Sequence, residues 1–242
     1  KPNSETAFLA ARRNVEVLLI ESGPVGGTCL NEGCIPTKAF CKNAEVLDAL
    51  REAADFGVTD LSYGFDFGKV VERKNAVVTQ LRGGVESLLG HKNITLVHGK
   101  ALFKDKHTVV VGGDEYSADY IIIATGSLSA SLPIQGADLP GVITSKEILD
   151  IDEVPRRLCV IGLEFASIFR SFGSEVTVLE YCKDILPRFD TDLAKRLKQS
   201  LSKKGIEINT QAQVTSVAEK SGEYTVSYTR KGKEESVVAD KV

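Results

Sequence analysis

The chain has 242 residues, 43% hydrophobic and 26% charged, with 30 basic and 33 acidic side chains and a formal net charge of −3. That length supports one or two domains with real cores, and the interleaving of the two signs speaks against a nucleic-acid or anionic-membrane surface. No run approaches the ~18 apolar residues of a membrane span, and five cysteines at irregular spacing do not read as a secreted disulfide scaffold, so a reducing, cytoplasmic compartment without a leader peptide is expected.

Residues 5–13, Ala-rich with Phe8 and Leu9, predict a helix, and 15–21 a strand ending in Glu21. An acid closing a strand after a helix fits the second half of a dinucleotide-binding strand–helix–strand unit, where it accepts a hydrogen bond from a ribose hydroxyl. An exposed strand-end carboxylate is the plainer alternative. The chain opens with Lys1-Pro2-Asn3-Ser4, without the first strand and glycine-rich turn of such a unit. A segment ahead of it is therefore expected, because the edge of a parallel sheet is otherwise exposed.

The next stretch is Gly26-Gly27-Thr28-Cys29-Leu30-Asn31-Glu32-Gly33-Cys34-Ile35-Pro36-Thr37-Lys38. If it opens a helix, two cysteines five positions apart come within bonding distance across the first turn. A helix N-terminus with Lys38 nearby favours the nucleophilic thiolate form. Unrelated structural cysteines, or half of a zinc site, are the other readings. Zinc needs a second ligand pair, and Cys41, Cys159, Cys182, His91, His98 and His107 are scattered without ligand spacing, so no metal is expected.

Helical periodicity runs from Pro36 to about Leu50 and again over 67–89, where Lys69, Glu72, Arg73 and Lys74 form a solvated face. Short strands follow at 94–100, 101–103, 108–111 and 115–117, with Gly112-Gly113 as a turn. The apolar run Tyr120-Ile121-Ile122-Ile123-Ala124-Thr125-Gly126-Ser127 predicts a buried parallel strand entering a small-residue turn. Pro133, Pro140 and Gly141 mark a crossover, and 145–149 a short helix. The strand–helix–strand pattern then restarts: strand 157–161, helix 163–172 with Gly173 as its stop, and strand 175–180 closed by Glu180. An acid at that strand end favours NAD over NADP, because it binds a ribose 2′-hydroxyl and repels a 2′-phosphate. Gly162 runs directly into Leu163-Glu164, leaving no residues for the strand-to-helix turn, which normally takes at least two. A helix over 193–201 and strands at 206–208, 213–217, 224–229 and 235–239 complete the chain. The fold class expected is α/β, with two Rossmann-like dinucleotide-binding domains, residues 1–148 and 149–242, built on parallel sheets and β-meanders.

The segment from Gly26 to Lys38 resembles the redox-active centre of the flavin-dependent pyridine nucleotide–disulfide oxidoreductases. Leu30 fits the members that oxidise dihydrolipoyl groups better than the mercuric and glutathione reductases, which usually carry Val. The resemblance implies a Cys29–Cys34 disulfide, with Cys29 meeting the dithiol and Cys34 lying against the flavin of FAD. It implies Lys38 near the flavin and paired with Glu164, and FAD held by Glu21, Gly27, Thr28, Gly99, Ala101 and the Ala124-Thr125-Gly126 turn. Gly162 and Glu180 would hold NAD, although the family's glycine fingerprint is about six residues longer at Gly162. The family also has a C-terminal dimerisation domain whose histidine serves as base across a homodimer. None of His91, His98 or His107 stands in that context, so the expectation is part of a longer enzyme acting on a dihydrolipoyl-bearing protein or small dithiol. A mercuric- or glutathione-reductase-like activity, and a non-catalytic fragment, are the alternatives.

Overall fold

In the computed structural model, which describes residues 2–242 and side chains from Ser4 onward, the chain divides into two units that do not follow chain order. The first runs to Ala39 and resumes over Glu72–Leu128; the second takes Phe40–Val71 and Ser129–Val242.

The first unit contains α1 (Pro2–Ala11), β1 (Val17–Glu21), α2 (Gly27–Asn31), the start of α3 (Cys34–Glu52), α4 (Phe67–Leu89) from Glu72 onward, and β2 (Ile94–His98). β1 and β2 pair in parallel from Val17 opposite Ile94 to Glu21 opposite His98. Their apolar side chains pack with Ala7, Val25, Val85 and Leu89, the burial that a strand between helices requires. Lys74, expected on the solvated face of α4, is buried. Asn93 closes the entry to β2, its carbonyl accepting from the Val17 N–H at 2.9 Å and its amide donating to the Ala11 carbonyl at 3.2 Å. β3 (Leu102–Phe103), β4 (Thr108–Val111) and β5 (Asp114–Ser117) form an antiparallel meander. Gly112 and Gly113, with φ 60° and 103°, make its tight turn where both central residues need positive φ.

The run from Tyr120 to Ser127, expected as a buried strand, is irregular and mostly exposed. Tyr120, Ile122 and Ile123 are 92%, 72% and 69% exposed. Among the described residues β1 pairs only with β2, and this run joins no ladder. A strand exists through its neighbour's hydrogen bonds, and apolar composition cannot supply them.

The second unit holds the rest of α3 and α4, 3₁₀ turns at Ala53–Phe56 and Glu147–Asp150, β6 (Arg157–Val160), α5 (Glu164–Phe172), β7 (Glu175–Glu180), α6 (Thr191–Lys203) and β8 (Glu207–Thr210). The 145–149 helix is thus a 3₁₀ turn. β6, β7 and β8 form a parallel sheet in that order. The strand-to-helix turn, for which the sequence left no residues, is made by Ile161, Gly162 and Leu163, because β6 stops at Val160. α5 buries Ala166, Ile168, Phe169 and Phe172, and Gly173 ends it in the left-handed region at φ 114°. Phe169 and Phe172 meet Phe40 and Phe67, with ring centroids 5.7–6.5 Å apart, within the range for tilted and edge-to-face aromatic contacts. Asp48 reinforces the contact, accepting from the Ser171 hydroxyl and the Lys204 ammonium, each at 2.8 Å.

Asp190 caps α6, its carboxylate accepting from the N–H groups of Asp192 and Leu193. β9 (Ala212–Lys220), β10 (Glu223–Arg230) and β11 (Lys233–Ala239) form an antiparallel meander. The positive-φ pairs Ser221-Gly222 and Lys231-Gly232 make its turns. The Arg157 guanidinium fixes this meander to β6 by pairing with Asp240 and, at 2.6 Å, with Glu223.

Candidate active site

The two cysteines do not share one helical turn. Cys29 lies within α2, Cys34 opens α3, and Glu32-Gly33 forms the corner between them. Two glycines make the corner possible. Gly26 has φ 102°, and a Cβ there would stand 2.3 Å from Leu30 Cδ2. A Cβ on Gly33 would stand 3.0 Å from the Thr28 carbonyl oxygen and 3.2 Å from Cys29 Cα. The chain therefore folds back until the start of α3 lies against the backbone of the first cysteine. Pro36 stands in the first turn of α3 and is fully buried; an N–H is dispensable there.

Asn31 secures the other side of this corner. Its amide nitrogen donates to the carbonyls of Val25 and Gly27 at 3.0 Å and of Pro24 at 3.2 Å. Its carbonyl oxygen accepts from Arg82 Nε on α4 at 2.9 Å. Neither role was visible from spacing. An Asn in a short glycine-flanked turn is a recognisable carbonyl-binding signal, but nothing in the sequence pairs it with an arginine 51 positions away.

Cys29 is half-buried and Cys34 exposed. Lys38 is exposed one turn beyond Cys34 on the same helix, so the two share a face. The contrast is with Cys159, whose thiol burial beside the Glu207 charge pushes up to about 12. Cys182 is also raised, first by desolvation and then by its bond to Glu180. A raised thiol keeps less of the nucleophilic thiolate form.

The acidic strand ends occupy equivalent positions. Glu21 closes β1, accepts from the Gly23 N–H at 3.1 Å, and takes the Gly99 N–H on its main-chain carbonyl at 3.0 Å. Glu180 closes β7 and accepts from the Cys182 N–H at 2.7 Å. Each bond folds the carboxylate over the carboxyl end of a parallel sheet, where dinucleotides are bound in open α/β sheets. Gly99 sits tightly, since a Cβ there would reach 2.5 Å from Val111 Cγ1. Ala101, Thr28, Thr125 and Gly126 are exposed, and Gly27 and Ala124 partly so. The structure thus brings Glu21 to Gly99 and Cys29 to the start of α3. Gly162 follows β6 at the same end of its sheet as Glu180. Ala124-Thr125-Gly126 lies in the irregular run, and Lys38 and Glu164 belong to different units.

The chain as a whole is similar to known proteins. The chain is 40% identical over 244 residues to a dihydrolipoyl dehydrogenase of Acholeplasma laidlawii, covering 97% of this chain and 71% of that one. It is 37% identical over 246 residues to one of Mycoplasma pneumoniae, covering 98% and 53%. In three dimensions it is similar to the HOCl-induced flavoprotein disulfide reductase RclA of Escherichia coli, with a TM-score of 0.84 at 31% identity, covering 98% of this chain and 52% of that one. The family model for pyridine nucleotide-disulphide oxidoreductases matches residues 4–242, and the chain belongs to that family.

Proposed function

We propose that this chain is the cofactor-binding part of a homodimeric, cytoplasmic flavoprotein disulfide oxidoreductase that oxidises protein-bound dihydrolipoyl groups and delivers the electrons to NAD. The observation that carries the reading is the corner formed by Gly26–Cys34, in which Gly33 lies against the Cys29 backbone and presents Cys34 at the head of α3. Relatives named dihydrolipoyl dehydrogenase support the substrate class. In this reading residues 1–148 hold FAD and residues 149–242 hold NAD.

The residues fit the two dinucleotides at the strand ends. Glu21 keeps one carboxylate oxygen beyond its bond to Gly23, next to Gly99 and the exposed Lys100-Ala101 stretch, where an adenosine ribose is accepted. Gly27, Thr28 and Ala124-Thr125-Gly126 are small and exposed enough to allow a close approach. Glu180 and Gly162 form the corresponding set for NAD. When bound, FAD supplies two-electron chemistry between a dithiol and a nicotinamide.

The chain's own step is thiol–disulfide exchange. From the oxidised Cys29–Cys34 pair, a substrate thiolate attacks Cys29 Sγ, forms a mixed disulfide and releases Cys34 as a thiolate. The second substrate thiol then attacks its own partner sulfur, releasing Cys29 and leaving the substrate as a disulfide. Two electrons now reside on the cysteine pair. Lys38, one turn from Cys34, stabilises the released thiolate, and Glu164 completes the proposed catalytic set.

The test is dihydrolipoamide-dependent NAD reduction by the intact flavin-loaded protein. Cys29→Ser and Cys34→Ser should each abolish turnover, and alkylation mapping should find Cys29 the faster-labelled of the two. Undiminished dithiol oxidation in both variants overturns the reading, and a preference for NADP overturns the role of Glu180.

A further inference from the structure

We infer that Asn31 and Arg82 form a clasp that sets the thiol–disulfide equilibrium of the Cys29 and Cys34 pair, making both residues positioning residues for the exchange. The inference rests on the proposed exchange chemistry.

α2 spans only Gly27–Asn31, far below the length at which a helix persists without outside support. Its last residue supplies that support. The Asn31 amide has two hydrogens and meets three carbonyls at 3.0–3.2 Å, so it draws residues 24–27 around the C-terminal end of α2. An amide in that place has two orientations, and the wrong one points its oxygen at those carbonyls. The Arg82 Nε–H, donating at 2.9 Å to the amide oxygen, selects the right one through a charge-assisted bond that the amide nitrogen, turned toward Arg82 in the wrong orientation, cannot accept. Arg82 stands on α4 and packs part-buried against the redox segment. α4 is also tied to α3 by the Arg73 guanidinium, which donates to the Ala39 carbonyl at 3.2 Å. The clasp therefore refers α2, which carries Cys29, to the same helix that holds the start of α3, which carries Cys34. Holding both cysteines to one frame raises the effective concentration of one thiol at the other, and closing the disulfide depends on that quantity.

The experiment measures the disulfide equilibrium of the intact protein in glutathione redox buffers. One oxidised glutathione and the two thiols yield the Cys29–Cys34 disulfide and two reduced glutathiones. Mass analysis of the peptide that carries both cysteines gives the equilibrium constant. Arg82→Gln should lower the constant for ring closure about fivefold, and Asn31→Ala should lower it at least as much, on the scale of one charge-assisted hydrogen bond. Arg82→Lys, which keeps a cationic donor, should recover at least half of the loss on a logarithmic scale. Because Asn31→Ala removes the bonds that hold α2, Arg82→Gln is the decisive variant. If its constant stays within about twofold of the parent, the clasp is overturned, even where its melting temperature falls. If the parent protein forms no Cys29–Cys34 disulfide at any glutathione ratio, it is the exchange chemistry itself that fails.

Discussion

The two parallel sheets obey the same local grammar and meet different fates. In each, an apolar strand ends in a glutamate that accepts from the N–H two residues further on, Gly23 for Glu21 and Cys182 for Glu180. The second sheet has three strands, with Val178 and Leu179 buried at 0% and 1% exposure and α5 packed on it. The first has two among the described residues, and the most apolar stretch of its unit, Tyr120–Ile123, lies outside the ladder. Apolar sequence becomes buried strand only where a hydrogen-bonding edge and a covering layer are both present; without them its side chains are no more buried than a loop's.

The largest expected effect breaks the comparison at its strong end. Phe169, fully buried among Phe40, Phe67, Phe165 and Phe172, should cost about 3–5 kcal/mol when replaced by Ala. Ile122→Ala in the exposed run should change stability by less than about 0.5 kcal/mol. Denaturant titration of the two variants checks both. An equal loss would mean that the run from Tyr120 is buried in solution.

Cys159 sharpens the contrast through pH. Its ionisation is held up to about 12 in the fold, against 9.0 for an ordinary thiol. Above the lower value the unfolded chain loses a proton that the folded chain keeps, so stability falls with rising pH across that window and is unaffected below it. The slope from this group approaches about 1.4 kcal/mol per pH unit. Tyr228, also held up by burial first and then by its bond to Glu235, acts in the same direction from its ordinary value of 10.0. Cys159→Ala should flatten the alkaline limb between about pH 9 and 12 in thermal melts, and an unchanged limb would remove Cys159 from the account.

A smaller effect belongs to the redox corner. Gly33→Ala sets a methyl 3.0 Å from the Thr28 carbonyl, and because that neighbour is backbone the corner must open, at about 1–3 kcal/mol. The change should also slow Cys29–Cys34 closure. The smallest effect has the opposite sign. Gly83 lies inside α4, with nothing within 4 Å of where a Cβ would stand, and its replacement by Ala should stabilise the chain by about 0.5–1 kcal/mol. A loss in place of that gain would show that solution packing covers this face of α4.

Local chemistry sufficed wherever a residue's role depends on its near neighbours. Gly173 as a helix stop, the glycine turns of the meanders, the acids at strand ends and the opening of a helix at the cysteine segment were legible because short-range backbone geometry decides them. The periodicity of 67–89 was legible for the same reason, since a helix makes its own hydrogen bonds. What the sequence could not decide depended on partners far away. The residues from Phe40 to Val71 join the second unit because Phe40 and Phe67 find Phe169 and Phe172. Tyr120–Ser127 is not a strand because, among the described residues, no edge pairs with it. The turn at Gly162 fits because β6 yields one residue from its end. The amide of Asn31 is oriented by an arginine 51 positions away. Strand pairing, aromatic packing and side-chain clasps are contacts between residues distant in sequence, so they are specified only once the chain has closed on itself.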